Sequence, residues 1–175
     1  PAVGTNACQE GLRTLNIEIA QSSDDAVESA LQGSVGTVTL TGVSLPLESK
    51  QTIGFRFDNL PIASKTPVSN VYIQLTSYAA GAGIADFWIQ DEDALNPLTF
   101  TTAAYNITSR PRFGSVLWNA AIWNAPNEAG VAQRTPDLAP LMQLRVGDKN
   151  WQPGYAVMFT ISGAAMPAAR YTAEY

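Results

Sequence analysis

The sequence predicts an all-β domain, a two-sheet antiparallel β-sandwich carrying one short helix. Three observations predict it. Apolar and polar residues alternate through most of the 175-residue chain. Segments rich in Pro, Gly, Asn and Ser interrupt the alternation at the spacing of a sandwich. Only one stretch places apolar residues at helical intervals. A chain of this length buries roughly 70% of its unfolded surface in one core, so residues 12–175 suffice as a single domain, with residues 1–11 as an extension or linker.

The elements follow in order. In "LRTLNIEIA", Leu15, Ile17 and Ile19 share one side with Asn16 and Glu18 on the other, which predicts a first strand. "VGTVTLTGVSLPL" holds Val38 and Leu40 in one phase and Val43, Leu45 and Leu47 in the opposite one. Gly42 stands where the phase changes and predicts a bulge or bend. Further strands are predicted with Ile53, Phe55 and Phe57 inward in "TIGFRFD", Val71, Ile73 and Leu75 inward in "NVYIQLTS", and Phe87 and Ile89 inward in "ADFWIQ". Val116 and Trp118 take the inward phase of "GSVLWN", and Val157, Phe159 and Ile161 that of "YAVMFTIS". The helix is predicted in "TPDLAPLMQLRVG", capped by Thr135 with Pro136 at its first position and Leu138, Leu141 and Met142 on one face; Pro140 weakens it.

Composition removes whole classes of function. The chain has no histidine, which excludes Ser-His and Cys-His nucleophile pairs and histidine zinc sites, and no nucleophile motif replaces them. An enzyme is not expected. Ten basic residues against fifteen acidic ones, net −5, offer no footprint for nucleic acid. No apolar run reaches the ~18 residues of a membrane-spanning helix, so membrane insertion is not expected. Cys8, the one cysteine, has no internal partner: it is an idle thiol or pairs outside the chain. The start at Pro1 without a leader suggests either a removed leader or a segment of a longer polypeptide.

Two acidic clusters stand out in a chain that is only 14% charged. Asp24, Asp25 and Glu28 form one; Asp91, Glu92 and Asp93 in "IQDED" form the other. Calcium takes six to eight oxygens, so the two together are candidate ligands for a structural calcium ion, against the alternative of solvated acidic loops. Exposed rings are the route to a sugar, because a pyranose face stacks on an aromatic ring while polar neighbours bond its hydroxyls. Trp88 takes the outward phase with Asp86 and Gln90, and Tyr72 takes it with Gln74 and Thr76. Pairing of those two strands would make one ring-plus-amide surface; cover by a loop or another subunit is the alternative. Trp123 is a second platform candidate. Arg56 faces outward between aromatics, as a partner for a carboxylated sugar or as a structural salt bridge. Trp118 reads as core and Trp151 as a turn anchor. "NIT" places a glycan-acceptor pattern at Asn106, with "NAC" at Asn6 a weaker variant.

The succession "SSDDAVES", "IGFRF", "VYIQLT", "IQDED", "NITSRPRFGSVLW", "QRTPDLAPLMQ", "NWQPGYAVMFTISG" and "ARYTAEY" resembles an extracellular β-sandwich module. That module recurs in large secreted and surface proteins of bacteria and some algae, and the likeness spans nearly the whole chain after Gly11. The matching positions are Asp24, Asp25 and Glu28; Gly54, Arg56 and Phe57; Trp118 and Trp123; Arg170 and Tyr171. Val27 stands where the module has an acid, and Phe55 where it has an aliphatic residue. The resemblance implies a jelly-roll-like sandwich in a secreted or cell-surface setting, with an accessory role. Two function classes follow. One is a carbohydrate-binding, lectin-like module; the other is a structural subunit of an extracellular filament, wall or adhesin, assembling through exposed aromatics and strand edges.

Overall fold

The computed structural model describes residues 12–164 and 168–174. The predicted extension, with Asn6 and Cys8, lies outside the described residues. Among the described residues the chain forms eight strands in two antiparallel sheets, with one helix and a single 3-10 turn at Val131–Gln133. The strands are β1 (Asp25–Ser29), β2 (Val38–Thr39), β3 (Leu45–Leu47), β4 (Gln51–Phe57), β5 (Ala85–Glu92), β6 (Arg112–Ala120), β7 (Val157–Gly163) and β8 (Arg170–Thr172); the helix is α1 (Ala139–Val146). Six strands make one sheet in the order β2-β1-β4-β7-β5-β6, and β3 pairs with β8 in the other.

Alternation explains the inward face of the large sheet. Ile53 and Phe55 of β4, Phe87 and Ile89 of β5, Trp118 of β6, and Phe159 and Ile161 of β7 enter one core. Leu45 and Leu47 of β3, Ile73 and Leu75, and Leu138, Leu141 and Met142 around α1 enter it too. The expected inward residues Phe57, Val71 and Val116 only border this core, half-buried, and Leu40 borders a second one.

The second core lies on the opposite face of the same sheet. Ala26, Val38 and Met158 point that way, and the segment between β5 and β6 folds across them with Phe100 and Ile107. Gly54 makes this cover possible: a Cβ there would lie 2.3 Å from Phe100 Cζ. The central strands β4 and β7 are therefore covered on both faces, which is why Met158, Thr160 and Arg56 are buried despite their outward phase.

Two expected strands do not form as such. Leu15, Ile17 and Ile19 are half-buried in the expected phase, but residues 12–20 join no ladder. The 71–78 segment keeps its alternation, with Ile73 and Leu75 buried, yet makes only isolated bridges, Gln74 to Arg134 and Ser77 to Thr172. The helix begins later than expected. Pro140 sits in its first turn, where a missing N–H costs nothing. Asp137 Oδ1 accepts the N–H groups of Ala139 and Val71, both at 2.9 Å. Thr135 does not cap α1; its hydroxyl accepts the Ile73 N–H and donates to the Pro136 carbonyl.

Candidate functional site

Among the described residues the outer face of β5 and β6 is open, with Trp88, Ser115, Leu117 and Asn119 exposed. Trp88 pairs across the ladder with Leu117 on one side and Ser162 on the other. Antiparallel neighbours on one face lie about 5 Å apart, so these three side chains form a continuous row. Trp88 is 42% exposed and Leu117 43%. Gln90 pairs with Ser115 in the next row, and Asp86 with Asn119 in the row before, where Asn119 Nδ2 donates to Asp86 Oδ1 at 2.8 Å. An indole thus stands in a shallow frame of amide, hydroxyl and one bonded carboxylate. Such a frame can stack on an apolar ring face and bond the hydroxyl groups around it.

Tyr72 is exposed but belongs to another surface. Its segment does not pair with β5, whose neighbours are β6 and β7. Trp88 points away from the core on the sheet side, whereas Tyr72 points away from it on the side that Ile73 and Leu75 close. The expected joint surface of Trp88 with Tyr72 does not form. Arg134 stacks its guanidinium 4.0 Å from the Tyr72 ring centre, and Arg134 Nε donates to Gln74 Oε1. Gln74 in turn donates to the Leu75 and Gly130 carbonyls.

Two other candidate binding residues, Trp123 and Arg56, are interior. Trp123 is 1% exposed, and its indole N–H donates to the Ala132 carbonyl, so it anchors the 121–133 loop. Arg56 is buried between Asp24 at 2.8 Å and Asp58 at 3.0 Å, with Nε donating to the Pro97 carbonyl; it takes the salt-bridge alternative. Trp151 anchors a turn as expected, donating to the Ile62 carbonyl against the edge of Tyr155.

The two acidic clusters diverge in space. Asp24 faces Arg56, while Asp25 is buried on the inward face of β1. Glu28 accepts the Ile107 and Thr108 N–H groups, each at 2.8 Å, together with the Thr108 hydroxyl. Asp91 accepts the Gly114 N–H and faces Arg145; Glu92 pairs with Arg110 and Asp93 with Arg145. Asp25 and Asp91 lie in one row, separated by Phe55 of β4 and Phe159 of β7. Among the described residues no group of three or more His, Cys, Asp or Glu side chains is placed to hold a metal ion. Asn106 is half-buried, and its Oδ1 accepts from the Thr101 N–H and from Arg110.

The residues that sequence reasoning missed are Leu117, Ser115, Asn119 and Ser162. Their outward phase was readable beside Val116, Trp118 and Ile161, but their place next to Trp88 depends on strand order. Among the described residues no helix is long and apolar enough to cross a membrane. No family model matches the chain, and no curated protein matches it either.

Proposed function

We propose that this domain is a non-catalytic extracellular recognition module, a jelly-roll-like β-sandwich that binds polysaccharide or glycoprotein glycan across the outer face of β5 and β6. The observation that carries the reading is the Trp88 ring, exposed on an open sheet face between Leu117 and Ser162 and framed by Gln90, Ser115 and Asn119. A stacked indole supplies affinity through the C–H face of a sugar, and the amides supply direction. The absence of histidine and the acidic balance support recognition over catalysis or nucleic-acid binding. The resemblance to secreted modules supports the extracellular setting. A second reading, a structural subunit of an extracellular filament, wall or adhesin, draws on a separate feature, the edge of β6, which pairs with no further strand among the described residues.

A glycan array followed by affinity electrophoresis tests the reading. Trp88→Ala weakens binding by about 1–3 kcal/mol while the circular dichroism spectrum stays that of the parent. Asn119→Ala removes one hydrogen-bonding group and costs about 1 kcal/mol. Retention of no glycan by the parent protein, or unchanged binding by folded Trp88→Ala, overturns it.

A further inference from the structure

The two edges of the large sheet are built differently. On one side the sheet ends in β2, only two residues long, a common way of blunting an edge. On the other it ends in β6, nine residues long, with no charged side chain after Arg112 and no proline. Main-chain geometry shows which groups that edge presents. The Ala164 N–H donates to the Asp86 carbonyl in register with the β5–β7 ladder, so Asp86, Trp88 and Gln90 bond towards β7. Phe87 and Ile89 therefore bond towards Trp118 and Val116 of β6. The N–H and C=O groups of Ser115, Leu117 and Asn119 then point away from the sheet. None of these groups has a hydrogen-bond partner among the described residues.

The geometry points to a closed dimer in which β6 pairs antiparallel with β6 of a second copy, about a two-fold axis at Leu117. That register sets Leu117 opposite the partner's Leu117 and Ser115 opposite the partner's Asn119. It forms about six main-chain hydrogen bonds, because every outward group meets its complement. The charge pattern selects a second copy as the occupant. The chain carries net −5, yet the paired segment is neutral, so two copies meet without opposing like charges, whereas a charged partner strand finds no counter-charge there. The Trp88–Leu117 row continues across the axis to the partner's Leu117, which extends the apolar strip of each copy.

Sedimentation equilibrium over a wide concentration range tests the dimer. The parent protein reaches twice the protomer mass and stops there. Leu117→Lys, a change at a half-exposed position, sets two ammonium groups opposite each other and raises the dissociation constant at least about tenfold. Leu117→Glu does the same, and an equimolar mixture of the two variants regains the dimer. Leu117→Pro removes an outward N–H without touching the β5 ladder and also weakens association. A parent protein that stays monomeric, one that grows beyond two copies, or a charge-swapped pair that fails to recombine overturns the proposal. Glycan binding by the Trp88 face is read separately, so failure of either idea leaves the other standing.

Discussion

Trp88 and Trp123 are the same side chain with opposite fates, and what decides is whether the chain folds over the ring. Trp123 finds the Ala132 carbonyl at 3.0 Å and is enclosed, whereas Trp88 stands on a sheet face that the β5–β6 connection covers only over the neighbouring strands. Tyr72 lies on another surface, so Tyr72→Ala leaves the glycan affinity of the Trp88 face unchanged; an equal loss for both variants would show that the two rings share one ligand. Gly54 shows how one absent Cβ sets that cover. In Gly54→Ala the new methyl meets Phe100 and costs about 1–3 kcal/mol in urea denaturation. Phe100→Leu in the same chain restores part of it, and an unchanged urea midpoint for Gly54→Ala would mean that the cover yields freely.

Helix α1 is held to β5 by Arg145, which reaches Asp91 at 3.0 Å and Asp93 at 2.6 Å. Asp91 is nearly fully buried, and its second oxygen takes the Gly114 N–H, so the helix and the β5–β6 ladder share one carboxylate. Asp91→Ala strips a buried guanidinium of its interior partner and costs about 3–5 kcal/mol in chemical denaturation. Asp91→Leu with Arg145→Met costs less than Asp91→Ala alone, because no charge is left buried; a double variant as unstable as the single would place the effect in packing. These pairs also show what was legible in the sequence. Alternation within a strand is local, so the phases of Phe87, Trp88 and Ile89, and even of Ile73 and Leu75 outside any ladder, were readable. Strand order and the cover over β4 and β7 depend on contacts between distant segments, such as Phe100 on Gly54. Hence the acids of "SSDDAVES" and "IQDED" read as calcium ligands or solvated loops, because the arginines that pair with Asp24, Glu92 and Asp91 are 18 to 54 positions away along the chain. Arg170 was matched only through resemblance: fully buried, it donates to the carbonyls of Ala82, Gly83, Ala121 and Ala169, tying β8 to the loops beside β5 and β6.

Over the whole molecule fifteen acids stand against ten bases, and among the described residues most carboxylates meet arginine or main-chain donors, while Glu174 adds a pH dependence to stability. Its carboxylate lies over Gly42, where a Cβ would come within 2.9 Å of Oε2, and it shares its surroundings with buried Asp25. Desolvation by burial first, and the charge of Asp25 second, raise the Glu174 pKa above its ordinary 4.5, with the Gly42 main chain opposing them. A carboxyl group with a raised folded-state pKa holds its proton longer in the folded protein than in the unfolded chain. Between the two values the folded state binds more protons, so stability falls as pH rises through that interval. Below the ordinary value both states are protonated and nothing is lost; above the raised value the loss is complete. Glu174→Gln keeps the shape and removes the titration, so urea midpoints measured from about pH 4 to about pH 8 decline less steeply with rising pH in the variant than in the parent. Parallel profiles would mean that Glu174 ionises alike in both states and that its place beside Asp25 carries no electrostatic cost.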